Sequence, residues 1–570
     1  MRKYTADFET NNFGDKADVW AWGICEIDNP KNFKYGTKID EFIYFCFNRK
    51  QNMQIYFHNL KFDGEFIIHY LLTHGYTYIK DKEDKKDKTF TTLISSQGQF
   101  YSLEIFFEVS EKKINKVIIY DSLKIINMSV EKIAKDFKLP ILKGSIDYKL
   151  IRDENHKLTD EEISYLKNDV EIMARALKIM FDEGLTKMTI GSDALYFYKQ
   201  LNQNFLNYFP VLDYEIDASI RQSYKGGFTY LNPKYKNEIV YDGLVLDVNS
   251  LYPSVLYNEK MPIGKPIYFT GKYQENKLYD LYVQRISCMF EIKKDKLPTI
   301  QIKNQTRFFV PNEYLDNSNN EIVVLTLTNI DLELFKEHYN ISDLVYLDGY
   351  MFKSQKGLFK NYIDFWSNRK IEAKKENNDA IYKISKLMLN SLYGKFGLNP
   401  NVQSKYPILV DDVVKYKMHD AETRDAVYIP VATFVTSYAR NKTIRTSQKI
   451  RDYTLNKYNE DYYIYSDTDS IHMKNLNEEE LKNFVDIDDF ILGFWKLESR
   501  FKKGKFLRQK CYIEQTYDEK INVTIAGLPK LLGDKINFEN FKEGFNAKGK
   551  LTFGHVRGGV ILKETEFTIK

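Results

Sequence analysis

Tyr465-Ser466-Asp467-Thr468-Asp469-Ser470 is the stretch on which the fold reading turns. It lies between two β-like runs, so it predicts a hairpin whose tip carries two acids. A third acid is delivered from far upstream. The run Leu244 to Val248 reads as a strand that ends on Asp247 and passes into Asn249-Ser250-Leu251-Tyr252-Pro253. Asp247 and Asp469 together could hold two Mg²⁺ ions about 4 Å apart, the spacing that serves in-line phosphoryl transfer. One ion would sharpen a hydroxyl nucleophile and the other would hold a triphosphate and its leaving pyrophosphate.

Between these acids, DAIYKISKLMLNSLYGKF reads as a helix stopped by Gly394 and Gly397. Lys383, Lys386, Asn390 and Tyr393 fall on one stripe of it, opposite a packed stripe of Ile384, Leu387, Met388 and Ser391. Lysines ending in an aromatic suit a nucleotide, with Lys386 towards phosphates and Tyr393 against a base pair. An amphipathic helix standing alone would need no such role. Tyr224-Lys225-Gly226-Gly227-Phe228 offers glycines that let a backbone approach a strand of nucleic acid. Lys502, Lys503, Lys505, Arg508 and Lys510, interleaved with Phe501, Phe506 and Tyr512, form the densest basic cluster, with phosphate contact or a plain solvated surface as its two readings.

The first ~185 residues alternate strand-like runs (YTADFET, QIYFH, KVIIYDS) with a helical stretch, EEISYLKNDVEIMARALKIM, which predicts an α/β domain. Asp7 and Glu9 lie two apart on a strand and so share a face. Asn59 and Asp63 are four apart, as are Tyr165 and Asp169, so each pair can share a helical face. Such carboxylates repel one another unless a divalent metal neutralises them, and Mg²⁺ takes oxygen ligands. Two ions held there could activate a water that Tyr165 orients. An Asp-x-Glu pair alone is an ordinary solvated strand face; the force lies in all three groups appearing in order.

Composition narrows the class. The chain has 570 residues, 43% hydrophobic and 28% charged, as expected of a folded multidomain protein. The net charge of +4 does not by itself argue for nucleic acid. The longest apolar runs, such as Phe42 to Phe47, are too short to cross a bilayer, and the N-terminal residues lack the apolar core of a secretion signal. The expectation is a cytoplasmic protein without membrane partners. Four scattered cysteines make neither a disulfide framework nor a cysteine zinc site.

Taken together, the motifs resemble those of family B DNA polymerases. Asp247 with SLYP, KLMLNSLYGKF, YSDTDS and Lys510-Cys511-Tyr512 look like its polymerase motifs. DFE, HNLKFDG and YLKND look like its three exonuclease motifs. HNLKFDG, YDSLK, KDFKLPILKG, LMLNSLYGKF, PTIQIK and the closing FTIK are similar to the protein-primed branch of small phages with linear genomes. The resemblance implies an α/β and α+β multidomain chain: a ribonuclease-H-like 3′–5′ exonuclease domain (1–187), then palm (188–260 and 431–525), fingers (362–397) and thumb (526–570). It also implies two insertions, 261–361 for the priming terminal protein, of which 295–361 is similar to the family's, and 398–430 for strand displacement and processivity.

Residue by residue, the resemblance implies exonuclease metal ligands at Asp7, Glu9, Asp63 and Asp169, assisted by Tyr165 and Lys143. It implies polymerase metal positions at Asp247, Val248 and Asp469, with Asp467 close by and a catalytic member too. Nucleotide contacts fall on Tyr252, which would exclude a ribose 2′-hydroxyl, and on Lys374, Lys386, Asn390 and Tyr393. DNA contacts fall on Tyr224, Gly226, Gly227, His58, Asn59, Phe62, Ser122, Leu123, Lys510 and Tyr512. Lys383 is displaced by one position from the family's pattern. The implied cofactor is Mg²⁺, two ions per site, with Mn²⁺ as a substitute. The implied partners of a monomer are primer–template DNA, single-stranded DNA, dNTPs and a terminal protein, in the cytoplasm of a bacterial host. A nucleic-acid-primed repair polymerase and a catalytically dead DNA-binding scaffold are the alternatives.

Overall fold

The structure is a computed structural model that describes residues 1–48, 51–110, 113–147, 150–153, 155–301 and 313–569. Ile302 and Lys303 of the PTIQIK run and the terminal Lys570 lie outside the described residues, as does 302–312 of the first predicted insertion.

The N-terminal region is built on strands Arg2–Asn12, Met53–Phe57 and Lys113–Asp121, which pair parallel in the centre of a mixed sheet. Alternation in the first strand sends Tyr4, Ala6 and Phe8 into a core with Ile55, Phe57 and Ile119. The helix Asp160–Asp182 packs over strands Arg2–Asn12 and Ala17–Glu26. It starts at a capping box: Thr159 Oγ1 accepts from the Glu162 N–H, and the Glu162 carboxylate accepts from the Thr159 N–H. A Cβ at Gly23 would meet the Phe33 ring tightly, at 3.2 Å, and Leu166 Cβ of this helix at an ordinary contact distance of 3.5 Å.

The second sheet is antiparallel. Its order runs Ile521–Ile525, Cys511–Thr516, Trp495–Arg508, Ile239–Val248, Ser470–Lys474, Tyr463–Asp467, Thr229–Leu231. Helix Ile429–Tyr458 backs it. Helices Lys360–Lys375 and Asp379–Phe396 pack against each other in the stretch expected to be the fingers. Near the C-terminus, strands Asn546–Val556 and Gly559–Thr568 form a hairpin.

Several local expectations need correction. Gly394 does not stop its helix, which runs on to the fully buried Phe396 before Gly397. The buried face of that helix is Ile384, Ser385, Met388, Leu389 and Leu392, with Leu387 and Ser391 only half-buried. Asn59 is not on a helical face; it holds a left-handed conformation ahead of helix Leu60–Thr73. The stretch expected as the first insertion, 261–361, carries a sheet ordered Lys260–Thr270, Tyr339–Lys356, Leu281–Ile292, Val323–Thr328. The hairpin Ser404–Val410 and Val413–Met418 joins the edge of the N-terminal sheet, with Ser404 opposite Ser95. Among the described residues, no helix is long and apolar enough to cross a membrane.

Candidate active sites

Ligands in open α/β sheets collect at the carboxyl ends of the strands, and the first site lies there. Asp7 and Glu9 leave one face of their strand, and Asp169 descends from helix Asp160–Asp182. A carboxylate oxygen of each comes within 4.8 Å of the others. Asp63 Oδ1 accepts from the Phe8 N–H at 3.2 Å, between the two strand acids, and is itself buried. Burial and the Asp169 charge push the Asp7 carboxyl up to about 7, against the pull of Lys143. Burial, then Asp7, hold Glu9 and Asp63 well above the usual carboxylate range. Burial also raises Asp169, although Lys143 Nζ sits 2.6 Å from its Oδ2. The other oxygen, Asp169 Oδ1, is buried and has no hydrogen-bond partner among the described residues. Crowded buried carboxyls with one oxygen unsatisfied fit hard divalent cations. The buried Tyr165 hydrogen-bonds Asp169, and Lys143 Nζ lies 5.5 Å from its ring centre.

The predicted single-strand contacts divide into two kinds. Ser122 has no exposed surface; its Oγ donates to the Phe57 carbonyl and lies 3.0 Å from His58 Nδ1, while His58 Nε2 is 2.7 Å from the Met128 carbonyl. In this structure the Ser122 side chain braces the loop from beneath. Asp121 Oδ1 accepts from the N–H groups of Asn59 and Leu123, which ties those two half-buried residues together. Phe62 faces Phe66 and, at 6.3 Å between ring centres, Phe553 of the C-terminal hairpin. No sequence motif flagged Phe553.

The second site is floored by the hairpin read at the outset. Strands Tyr463–Asp467 and Ser470–Lys474 flank the turn Thr468-Asp469. Asp247 pairs with Ser470 on the neighbouring strand, and the Val248 N–H donates to the Asp469 carbonyl at 2.8 Å. Burial and the Asp247 charge push Asp469 up to about 6. Asp467 turns elsewhere: it accepts from Thr229 Oγ1 at 3.2 Å and the Tyr465 hydroxyl at 3.3 Å, and Lys510 Nζ is 3.5 Å away. The Lys510 N–H donates to the Tyr465 hydroxyl, and Tyr512 packs on the Tyr465 and His472 rings. Tyr252 and Tyr393 lie with ring centres 4.1 Å apart. Lys386 and Asn390 are exposed on the adjoining helix. Lys374 Nζ sits 5.5 Å from the centre of the exposed Phe490 ring.

Two lysines were missed. Lys496 Nζ is 3.0 Å from Asp247 Oδ1. Lys370 is lowered by burial and by the charges of Lys386, Lys374 and Lys496, so all four belong to one basic wall. Lys383 is not part of it; it pairs at 3.4 Å with Asp136 of the N-terminal region. The basic cluster at 502–510 is largely spent locally. Lys502 pairs with Glu519, Lys505 donates to the Phe541 carbonyl, and Phe501 and Phe506 are fully buried. In the Tyr224–Gly227 loop, a Cβ at Gly227 would lie 2.7 Å from the Thr468 side chain, so the loop touches the catalytic turn. The half-buried Tyr224 is raised by burial and by Tyr393 nearby, and the exposed Gly226 turns its carbonyl to Arg440.

The model of DNA polymerase type B, organellar and viral, matches residues 46–486. The DNA polymerases of Bacillus phage M2 and Bacillus phage phi29 are 43% and 42% identical to the chain, covering all of it and 100% and 99% of themselves. That of Streptococcus phage Cp-1 is 33% identical, covering all of the chain and 98% of itself. A structure of phi29 DNA polymerase complexed with primer-template DNA and incoming nucleotide substrates superposes with a TM-score of 0.93 at 41% identity, over 100% of both chains. One complexed with single-stranded DNA gives 0.91 at 40%, again over 100% of both. The chain belongs to the organellar and viral type B DNA polymerases, among the phage enzymes of the phi29 type.

Proposed function

We propose that this DNA polymerase replicates a linear phage genome in the cytoplasm of a bacterial host, starting from a hydroxyl of a terminal protein and proofreading with its own 3′–5′ exonuclease. It works as a monomer with two Mg²⁺ ions in each site. The observation that carries this reading is the presence of two separate acidic centres, Asp7/Glu9/Asp169 with Asp63 on one sheet and Asp247/Asp469 on another. The neighbours complexed with primer-template and with single-stranded DNA support one substrate for each centre.

In the first centre, Asp7, Glu9, Asp63 and Asp169 hold the metals, and Tyr165 and Lys143 fix the orientation of Asp169. In the second, Asp247, Asp469 and the main chain at Val248 hold them. Bound divalent ions supply Lewis acidity to the attacking and leaving oxygens of an in-line displacement. The residues around them do the rest. Lys370, Lys374 and Lys386 offer charge to the triphosphate, Asn390 and Tyr393 face the nascent pair, and Tyr252 crowds the sugar where a 2′-hydroxyl would sit. Lys510 and Tyr512 hold the primer strand. Tyr224, Gly226 and Gly227 couple the two centres. His58 and Ser122 support the loop that presents Asn59, Phe62 and Leu123 to a frayed strand. Residues 261–361 receive the terminal protein, and 398–430 serve strand displacement.

The test is incubation with terminal protein, Mg²⁺ and labelled dATP. A covalent protein–nucleotide adduct, lost in Asp469→Ala, is expected. Primer extension without any adduct would favour nucleic-acid priming instead.

A further inference from the structure

The polymerase carboxylates are accompanied by a cation of the chain's own. Asp247 and Lys496 are register partners on adjacent antiparallel strands, and the lysine ammonium lies 3.0 Å from Asp247 Oδ1. Its surroundings are acidic on the palm side, where Asp247, Glu498 and Asp469 all act on it. Close to it is helix Lys360–Lys375, whose Lys370 feels the positive charges of Lys386, Lys374 and Lys496 together. Lys496 therefore bridges two fields. Its side chain is 32% exposed and is not locked in the core. A lysine on a four-carbon stem can exchange one anion for another without backbone movement.

Resting on the polymerase reading above, we propose that Lys496 is a positioning residue for nucleotide addition. It holds Asp247 while the cleft lacks substrate, and it turns to the triphosphate when Asp247 is engaged, as a fourth cation beside Lys370, Lys374 and Lys386. Charge balance requires the exchange. Two acids at the head of neighbouring strands repel in a half-buried site, and one ammonium offsets that repulsion. A divalent ion on Asp247 would in turn repel the ammonium. The phosphate chain of the nucleotide, attracted to the same wall, then competes with Glu498 for the freed ammonium.

The test compares full-length wild type, Lys496→Met and Lys496→Arg on a dideoxy-terminated primer–template, where nucleotide binding is read in Ca²⁺ without turnover. Lys496→Met should weaken binding about tenfold, the loss of one charge-assisted contact, and Lys496→Arg should restore most of it. On an extendable primer the loss should appear in KM rather than kcat. With metal chelated, Lys496→Met should melt below wild type, and added Mg²⁺ should close that gap. Unchanged nucleotide affinity in Lys496→Met, alongside normal extension by wild type, would overturn this inference alone. Failure of wild type to extend any primer would overturn the polymerase reading and this inference with it.

Discussion

Arg440 of helix Ile429–Tyr458 and Asp331 of helix Asn329–His338 form a buried pair, Nη2 to Oδ2 at 2.6 Å, beside the Tyr224–Gly227 loop. Arg440 Nη1 donates in turn to the carbonyls of Lys225 and Gly226, at 2.9 and 2.7 Å. Burial works against the Asp331 carboxylate, yet Arg440 outweighs it and keeps the acid below its usual range. Removing one partner strands the other charge. Asp331→Ala should therefore cost about 3–5 kcal/mol, read as a lowered denaturant midpoint. The double change Asp331→Leu with Arg440→Met should recover much of that loss, because it leaves no orphan charge. A single Asp331→Ala as stable as wild type would show that the pair does not hold the loop.

A second junction joins three remote segments. Glu65, on helix Leu60–Thr73, accepts from the Tyr416 hydroxyl at 2.8 Å and lies 3.1 Å from His555 Nε2 of the C-terminal hairpin. The hydrogen bond that His555 donates to the Glu65 carboxylate raises the His555 pKa above its ordinary value, and burial opposes it. A raised folded pKa means the contribution is complete below about 6.5, the unfolded value. It fades as pH climbs through the folded one. Melting of wild type should thus fall between pH 6 and pH 8 by more than that of Glu65→Gln. Parallel curves would refute the clasp.

The crowded acids of the first centre make a prediction about metal that needs no catalysis. Asp7 and Glu9 are raised mainly by burial and by neighbouring carboxylates, so the cluster destabilises the metal-free chain at neutral pH. Mg²⁺ that binds only the folded form stabilises it by mass action. Wild type should gain more in melting temperature on Mg²⁺ addition than Asp7→Asn with Glu9→Gln. The same double variant should lose single-strand degradation and keep primer extension. Loss of both activities together would count against two separate centres.

Which parts were legible follows from how far each contact reaches. Asp7 with Glu9, and Tyr165 with Asp169, declare themselves through strand and helix periods. The hairpin at Asp467–Asp469 is equally local. Lys496 carries no motif, and its partner Asp247 is found only once two strands some 250 residues apart in sequence take their register. Lys370 hides in a charged run. Glu65, Tyr416 and His555 meet only through tertiary packing. Gly394 misled because an interior glycine costs a helix only about 1 kcal/mol, less than burying Phe396 returns. The hairpin at 404–418 reads as β in sequence, but an edge strand does not name the sheet it will join.

Gly227 offers the sharpest steric test of the link between the loop and the polymerase turn. A Cβ there would stand 2.7 Å from both Thr468 Cγ2 and Oγ1 and 3.0 Å from Cβ, too close for the branched side chain to yield by rotation. Thr468 is also pinned through its backbone, with its N–H to the Phe228 carbonyl at 2.7 Å and its carbonyl to Thr443 Oγ1 at 2.8 Å. Gly227→Ala must therefore displace the turn that carries Asp469, at a cost of about 1–3 kcal/mol. Primer extension should fall well before exonuclease activity does. Thr468 has φ 64°, a conformation that glycine adopts freely. Thr468→Gly removes the clashing atoms and leaves both backbone hydrogen bonds possible. The pair Gly227→Ala with Thr468→Gly should then extend primers faster than Gly227→Ala alone, as measured by single-turnover incorporation. If the second change deepens the defect, the clash is not the cause.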